Sequence, residues 1–408
     1  MPVEDASNHI CTFMEVGGGI TSGECVTALQ LVVERQEVLR LSFLPGREGP
    51  LQMIRKTAAP AIRFREIPDS RDALEERMQT IFDEPFDLLR GPLYRAEFIR
   101  RGPEDIVLVF AIHHAIADGW TLGVFVEDLC SAYLQARMGV PGSLPPVPLS
   151  YTAWGAMDRE LWTPAKLEEH GRFWTDRLAG APRLWSAPDG APGALVREVK
   201  FVPADVTQGV RNLARRADAT LFSTLLAGFQ IALSQWTGAE DIVVGTPIAN
   251  RTTQSVRETM GYCSGNVPIR ARVQKDRPLE ECVRNVHEIA VDSFAHAMPF
   301  AALVRALGDP PAANHNPVCD VRFALQNHPI PDITVPGLSV QLRMRATGTA
   351  RFDLGCEITE SGEELEVVWL YRPGLFSAAD IETLGARFLS VIEGIAPVSV
   401  TLAPAVAV

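Results

Sequence analysis

Lysine is scarce in this chain of 408 residues, occurring only at Lys56, Lys166, Lys200 and Lys275, so arginine carries most of the basic charge. Against 38 basic side chains stand 50 acidic ones, and the net charge of −12 argues against nucleic acid or an anionic membrane as the main partner. Long apolar runs are missing too. The best candidates, 221–236 and the tail after Ile395, are interrupted by polar residues or prolines, so no membrane-spanning helix is expected. The opening MPVEDASN is acidic and holds no apolar stretch of the kind a secretory signal needs. Nor is there any CxxC spacing: Cys11, Cys25, Cys130, Cys263, Cys282, Cys319 and Cys356 are scattered. They are read as buried, reduced thiols of a cytoplasmic protein, with no metal site.

What is present is an ordinary globular composition, 47% hydrophobic and 22% charged, long enough for two domains. The least ordinary stretch is IVLVFAIHHAIADGWTLGVFVEDLCSAY, Ile106 to Tyr133. Ile106 to Ile112 is a continuous apolar run rich in β-branched residues that predicts a strand buried on both faces. His113 and His114 close it. After a short link come Asp118 and Gly119, and then Leu122, Phe125, Val126, Leu129 and Tyr133 recur at helical spacing.

Neighbouring side chains of a strand point to opposite faces, so His113 and His114 cannot share one cavity. Asp118 stands where a carboxylate caps a helix, and Gly119 lets another group approach the backbone. A helix N-terminus also favours developing negative charge. One reading of this constellation is purely structural: two core histidines and a capping aspartate. The other is a site.

The pattern HHAIADG resembles the HHxxxDG signature of the condensation domains of nonribosomal peptide synthesis and of related acyltransferases of the chloramphenicol-acetyltransferase type. Other stretches match the same family in the same order from about Cys11 to Glu393. ERQEVLRLSF is similar to RHExLRxxF, with Gln36 where His is usual and Arg40 read as a structural partner. EPFDLLRGPLYRAEFI resembles the segment before the signature strand, read as scaffold feeding an edge strand. SYTAWG, MGYCSGNVPIR (with Gly265 for the usual Asn), AHAMPF, NPVCDVRFALQN and the ending RFDL through LYRPGLF follow. The family's opening SxAQxR-like motif has no counterpart, which bears on substrate scope.

The resemblance implies an α/β protein of two chloramphenicol-acetyltransferase-like lobes, a V-shaped pseudo-dimer with a tunnel between them. The lobes are expected at 1–165 and 166–408, with the boundary near 165, since strands alternate with helices in both halves. By resemblance His114 and Gly119 are the catalytic positions, with His114 acting either as a base or as a hydrogen-bonding group that orients the nucleophile. His113, Asp118 and Arg251 are structural at the site. Arg251, in TPIANR, falls where the family's arginine crosses to the signature aspartate and ties the lobes together.

The implied activity joins an acyl or peptidyl thioester, held on a carrier protein, to an amine. The chain is expected to be free-standing, to bind no cofactor itself, and to receive phosphopantetheine arms on separate carrier proteins. An ester-forming O-acyltransferase, an epimerase and a non-catalytic carrier-docking module are the other readings.

Overall fold

A computed structural model of the protein describes residues 8–17, 20–47, 49–102, 105–139, 142–186, 195–274, 276–308, 316–326, 334–335, 338–345 and 352–394. Residues 1–7 of the acidic start, 187–193 of the Pro/Gly-rich loop, Arg351 and the tail from Ile395 lie outside the described residues.

In chain order the first elements are β1 (His9–Gly17), α1 (Ser22–Arg35), β2 (Leu41–Leu44), β3 (Leu51–Ile54), β4 (Ile62–Glu66), α2 (Arg71–Asp83), β5 (Tyr94–Arg100), β6 (Asp105–His113), α3 (Gly119–Arg137), α4 (Tyr151–Leu161) and α5 (Pro164–Leu178). Then come β7 (Val196–Val202), α6 (Ala204–Arg216), α7 (Leu221–Thr237), β8 (Asp241–Ile248), β9 (Gly265–Arg272), α8 (Leu279–Ala295), α9 (Phe300–Leu307), β10 (Val321–Gln326), β11 (Thr334–Val335), β12 (Leu338–Arg345), β13 (Leu354–Ser361), β14 (Glu364–Tyr371) and α10 (Ala378–Ile392).

By internal contacts the chain divides into two compact units. The first is Met1–Leu161 with Ala249–Ser264 and His328–Thr347; the second is Trp162–Ile248, Gly265–Asn327 and Gly348–Val408. The first break, Leu161/Trp162, falls near the expected 165, while two stretches inside the expected 166–408, Ala249–Ser264 and His328–Thr347, group with the first unit. One return brings β12 alongside β1, with Cys11 opposite Arg345. The other brings 249–264 onto the start of α3. Neither return leaves a periodicity that marks it in the sequence.

The first unit is built on a sheet ordered β11-β12-β1-β6-β5-β4. Its pairings are antiparallel except β4 with β5. β6 is flanked by β1 and β5, and Ile106 to His113 are all buried, which is why its sequence is apolar without alternation. The expectation that β5 is an edge strand is corrected. β4 adds outside it, and its sequence IRFRE is mostly exposed and charged, which hid it. Leu29, Val32 and Val33 of α1 and Leu122, Phe125 and Val126 of α3 share one hydrophobic cluster with β6.

The Thr21 hydroxyl accepts from the Glu24 N–H at 3.2 Å, and Glu24 accepts from the Thr21 N–H at 2.8 Å, a reciprocal cap that fixes the start of α1. α1 stops at Arg35 rather than near Arg40. Gln36 turns extended, and a 3-10 turn, Glu37–Arg40, follows.

The second unit carries a sheet ordered β7-β14-β13-β10-β8-β9, parallel at β10/β13 and β8/β10 and antiparallel elsewhere. α7 is buried from Ser223 to Gln235, and Gly238, at φ 77° in the left-handed region, ends it. No single helix among the described residues is long and apolar enough to cross a membrane.

Candidate functional site

His113 is the last residue of β6 and is 8% exposed. Its Nδ1 accepts the N–H of Ala115 at 3.0 Å, so that nitrogen carries no proton and the neutral ring is protonated at Nε2. The ring packs edge-on against Phe86 and His9, and His9 Nδ1 lies 2.7 Å from the Phe82 carbonyl. Arg95 stacks over Phe86 at 3.7 Å and donates to the carbonyls of Ile81 and Pro85. The segment from Glu84 to Arg95 thus forms the wall behind His113.

His114 is the first residue past the strand, and its N–H donates to the Asn8 carbonyl at 2.6 Å. The side chain is half-buried. Its ring stands perpendicular to that of Tyr262, centroids 5.1 Å apart and planes at 85°. The two histidines therefore face different surroundings, His113 as the last residue of the strand and His114 in the turn that follows.

Asp118 is 2% exposed and is the N-cap of α3. Its Oδ1 accepts from the Thr121 N–H, the Thr121 hydroxyl and Arg251 Nη2, each at 3.0 Å. Its Oδ2 accepts the N–H groups of Cys263 and Ser264, both at 3.1 Å. One carboxylate thus organises the turn after His114 and the returning segment 249–264. Gly119 opens α3, so its N–H belongs to the first turn and has no carbonyl four residues back within the helix.

Arg251 is buried, with its side chain 1% exposed. Besides Asp118 it donates to the Gly261 carbonyl at 3.2 Å. Arg251 and Asp118 pair across 133 positions of the chain, and by internal contacts both belong to the first unit. Burial pushes the Cys263 thiol up to about 12, with Arg251 opposing the shift and the Asp118 and Asp158 carboxylates adding to it.

Several site residues escaped the sequence reading. Thr121 also accepts the Gly261 N–H at 3.1 Å, and the spacing of three from Asp118 is the signal that would have found it. Gly261 is glycine for a reason: a Cβ there would come within 2.2 Å of the Tyr151 ring. Tyr151 in turn stacks on Trp154 and donates to the Tyr262 carbonyl at 3.3 Å.

Gln36 is the third. Its amide donates to Asp128 Oδ2 at 2.8 Å and to the Glu258 carbonyl at 2.9 Å, while its oxygen accepts the Met260 N–H at 3.0 Å. Arg35 pairs with Asp128 and Glu258 beside it. Arg40 spends its guanidinium on the backbone carbonyls of Val33, Arg55 and Lys56. Among the described residues no three His, Cys, Asp or Glu side chains are placed to hold a metal ion.

A strand ending in His113 with His114 just beyond it, a turn locked by a buried aspartate and a helix N-terminus, carried on one of two mixed sheets, define an acyltransferase-like fold of the chloramphenicol-acetyltransferase type. The chain belongs to the condensation-domain family, whose sequence model, described as Condensation domain, matches residues 6–398.

Among curated proteins it is 28% identical over 403 residues to the phosphinothricin tripeptide synthetase PhsC of Streptomyces viridochromogenes, covering 95% of this chain and 37% of that protein. It is 29% identical over 377 residues to the chondramide synthase cmdD of Chondromyces crocatus, covering 90% of this chain and 10% of that protein. The chain thus spans well under half the length of these relatives.

Among solved structures, the X-domain from teicoplanin biosynthesis superimposes with a TM-score of 0.87 at 21% identity, over 97% of this chain and 91% of that one. The first condensation domain of the calcium-dependent antibiotic synthetase gives 0.79 at 21% identity, over 97% and 93%. These likenesses establish the fold.

Proposed function

We propose that the chain catalyses condensation-type acyl transfer in natural-product biosynthesis, joining an acyl or peptidyl thioester held on a carrier protein to an amine. The observation that carries this reading is the half-buried His114 imidazole, set at the end of β6 by a turn whose aspartate receives five hydrogen bonds. The phosphopantetheine arm is part of the substrate and is delivered by the carrier protein.

In the proposed step the acceptor nitrogen attacks the thioester carbonyl carbon, forming the C–N bond, and the C–S bond breaks as the tetrahedral intermediate collapses. His114, acting as a neutral imidazole, takes the proton the nitrogen sheds and returns it to the departing thiolate. The N–H of Gly119, at the positive end of α3, faces the charge that develops on the carbonyl oxygen. His113, Asp118 and Arg251 hold this geometry and do not touch the reacting atoms.

The experiment is turnover with a loaded acyl carrier protein and matched amine and alcohol acceptors, read by mass spectrometry of the product. Amide product is expected, and ester product in its place would establish the O-acyltransferase reading. Retention of the donor on its carrier, with binding but no transfer to either acceptor, would leave a carrier-docking module. Epimerised donor would point to the remaining reading. The His114→Ala variant is expected to melt like the parent and to lose about 10²- to 10⁴-fold in rate, the span usual for general acid–base groups. Unchanged turnover in that variant rejects the assignment.

A further inference from the structure

We propose that the first unit holds a binding site for a short-chain carboxylate, whose alkyl chain enters an apolar cavity between the helices α1 and α3 and the sheet while its carboxylate stays at the mouth on Arg137. The proposal does not depend on the acyl-transfer reading of His114.

Met14 of β1, Ala96 of β5 and Leu108 of β6 belong to one wall of the cavity, and Ala28 of α1 with Phe125 and Cys130 of α3 to the other. Four of the lining side chains are small, Cys25, Ala28, Ala96 and Cys130, and the space left is about 50 Å³. A core packed to ordinary density has few voids larger than one water molecule. One water needs roughly 10–15 Å³ on this measure, so the cavity takes a chain of about four carbons. Leu108 precedes His113 by about 16 Å along β6, which makes the cavity separate from the site at the turn.

The lining suits an alkyl chain and not water. Among the described residues that form it none is charged, and the Tyr133 hydroxyl is its one side-chain oxygen, whereas a buried water needs two to four polar partners. Burial pushes the Cys25 thiol up to about 12 and the Cys130 thiol to about 11, so both stay neutral and serve as wall. The mouth lies where Ile20, Ile62, Leu129 and Cys130 are half-buried. The Tyr133 hydroxyl accepts from Arg137 Nη1 at 2.8 Å, which leaves the phenolic proton free to donate. That hydroxyl is the one hydrogen-bond partner of the exposed Arg137 guanidinium among the described residues. Glu24, the acidic group near it, is taken up by the Thr21 N–H and hydroxyl at 2.8 and 2.7 Å. A carboxylate at the mouth therefore meets a guanidinium and a hydroxyl donor together.

The test is an NMR titration of the full chain with straight-chain carboxylates from butanoate to octanoate and with 1-hexanol, read at the methyl groups of Met14, Leu29 and Leu108. Affinity is expected to rise about fourfold per added methylene and to level off near hexanoate, once the cavity is full. Hexanoate is expected to bind about two- to fivefold tighter than 1-hexanol, the scale of an exposed ion pair. Arg137→Gln should erase that preference and keep the dependence on chain length. Ala28→Leu from the helix side and Ala96→Val from the sheet side each fill part of the cavity and should weaken hexanoate binding at least fourfold, the worth of one excluded methylene or more. Melting curves establish that each variant is folded.

No saturable binding to the parent, shifts spread away from the cavity, 1-hexanol matching hexanoate, or hexanoate binding undiminished in the folded filling variants would overturn the proposal. An affinity that climbs without levelling through octanoate indicates adsorption to the surface and overturns it as well.

Discussion

Asp118 and Arg251 are nearly inaccessible, at 2% and 1% side-chain exposure, and at such a site removing one partner costs far more than the pair is worth net. Truncation leaves a buried charge uncompensated, typically about 3–5 kcal/mol. Asp118 keeps four other hydrogen bonds when the guanidinium goes, which places Arg251→Ala near the lower end, about 3 kcal/mol. The loss is expected to be local. Hydrogen exchange should speed up at the amides of Gly261, Cys263 and Ser264, whose partners are Thr121 and Asp118, and stay as in the parent in α7. Equal protection at all three amides in the variant would count against this account of Asp118. His114→Ala, at a half-buried position, should leave those amides alone, which separates a residue that holds the site from one that acts in it.

At the level of elements, α1, α3 and the returning segment 249–264 meet at Gln36. An amide side chain offers two donors and an acceptor, and Gln36 uses both kinds, on Asp128, Glu258 and Met260. Burial raises the Asp128 carboxyl above its usual range, while the Gln36 and Arg35 contacts pull the other way. Replacing Gln36 with Leu removes one of those opposing donors and orphans two backbone groups, a cost of about 2–3 kcal/mol.

The pH dependence has a definite sign. A carboxyl whose folded pKa is raised binds its proton more readily in the native state, so acid relieves the strain of its burial. The stability gap between Gln36→Leu and the parent should therefore narrow as the pH falls through the raised Asp128 pKa, as read by denaturant midpoints at a series of pH values. A gap constant with pH would show that Asp128 is not what Gln36 serves.

Across the whole molecule, acid acts through groups shifted the other way. Asp241 is held below its usual value of 3.8 first by hydrogen bonds from Arg270, with burial opposing and the Arg270 and Arg272 charges assisting. Arg270 meets both its oxygens at 2.9 and 2.6 Å. A lowered folded pKa contributes stability that is fully present above 3.8 and lost as the pH falls through the lower folded value. Asp241→Asn should accordingly lower the melting temperature at neutral pH, and the difference from the parent should shrink below pH 3.8. A difference that grows in acid would contradict the pairing.

How much of this was legible in advance depends on the range of the interaction. Local patterns sufficed for β6, the Asp118 cap, the Thr21–Glu24 box and the Gly238 stop of α7, because each is settled by residues within one turn or one strand of each other. The motif order along the chain was enough to place the family. β4 was hidden because it lies at the sheet edge with an exposed, charged sequence, so no apolar alternation marks it.

By itself, then, the sequence determined the strand–turn–helix that presents His114 and the kinds of side chain gathered there. Only the tertiary structure decided that Arg251 closes on Asp118 within one unit, that Gly261 must be bare for Tyr151 to fit, and that Tyr262 stands against the histidine. The reason is physical: local hydrogen bonding and burial periodicity act between near neighbours in the chain. Pairings between residues 133, 110 or 148 positions apart arise when the segment 249–264 folds back onto the first unit, and no local pattern encodes them.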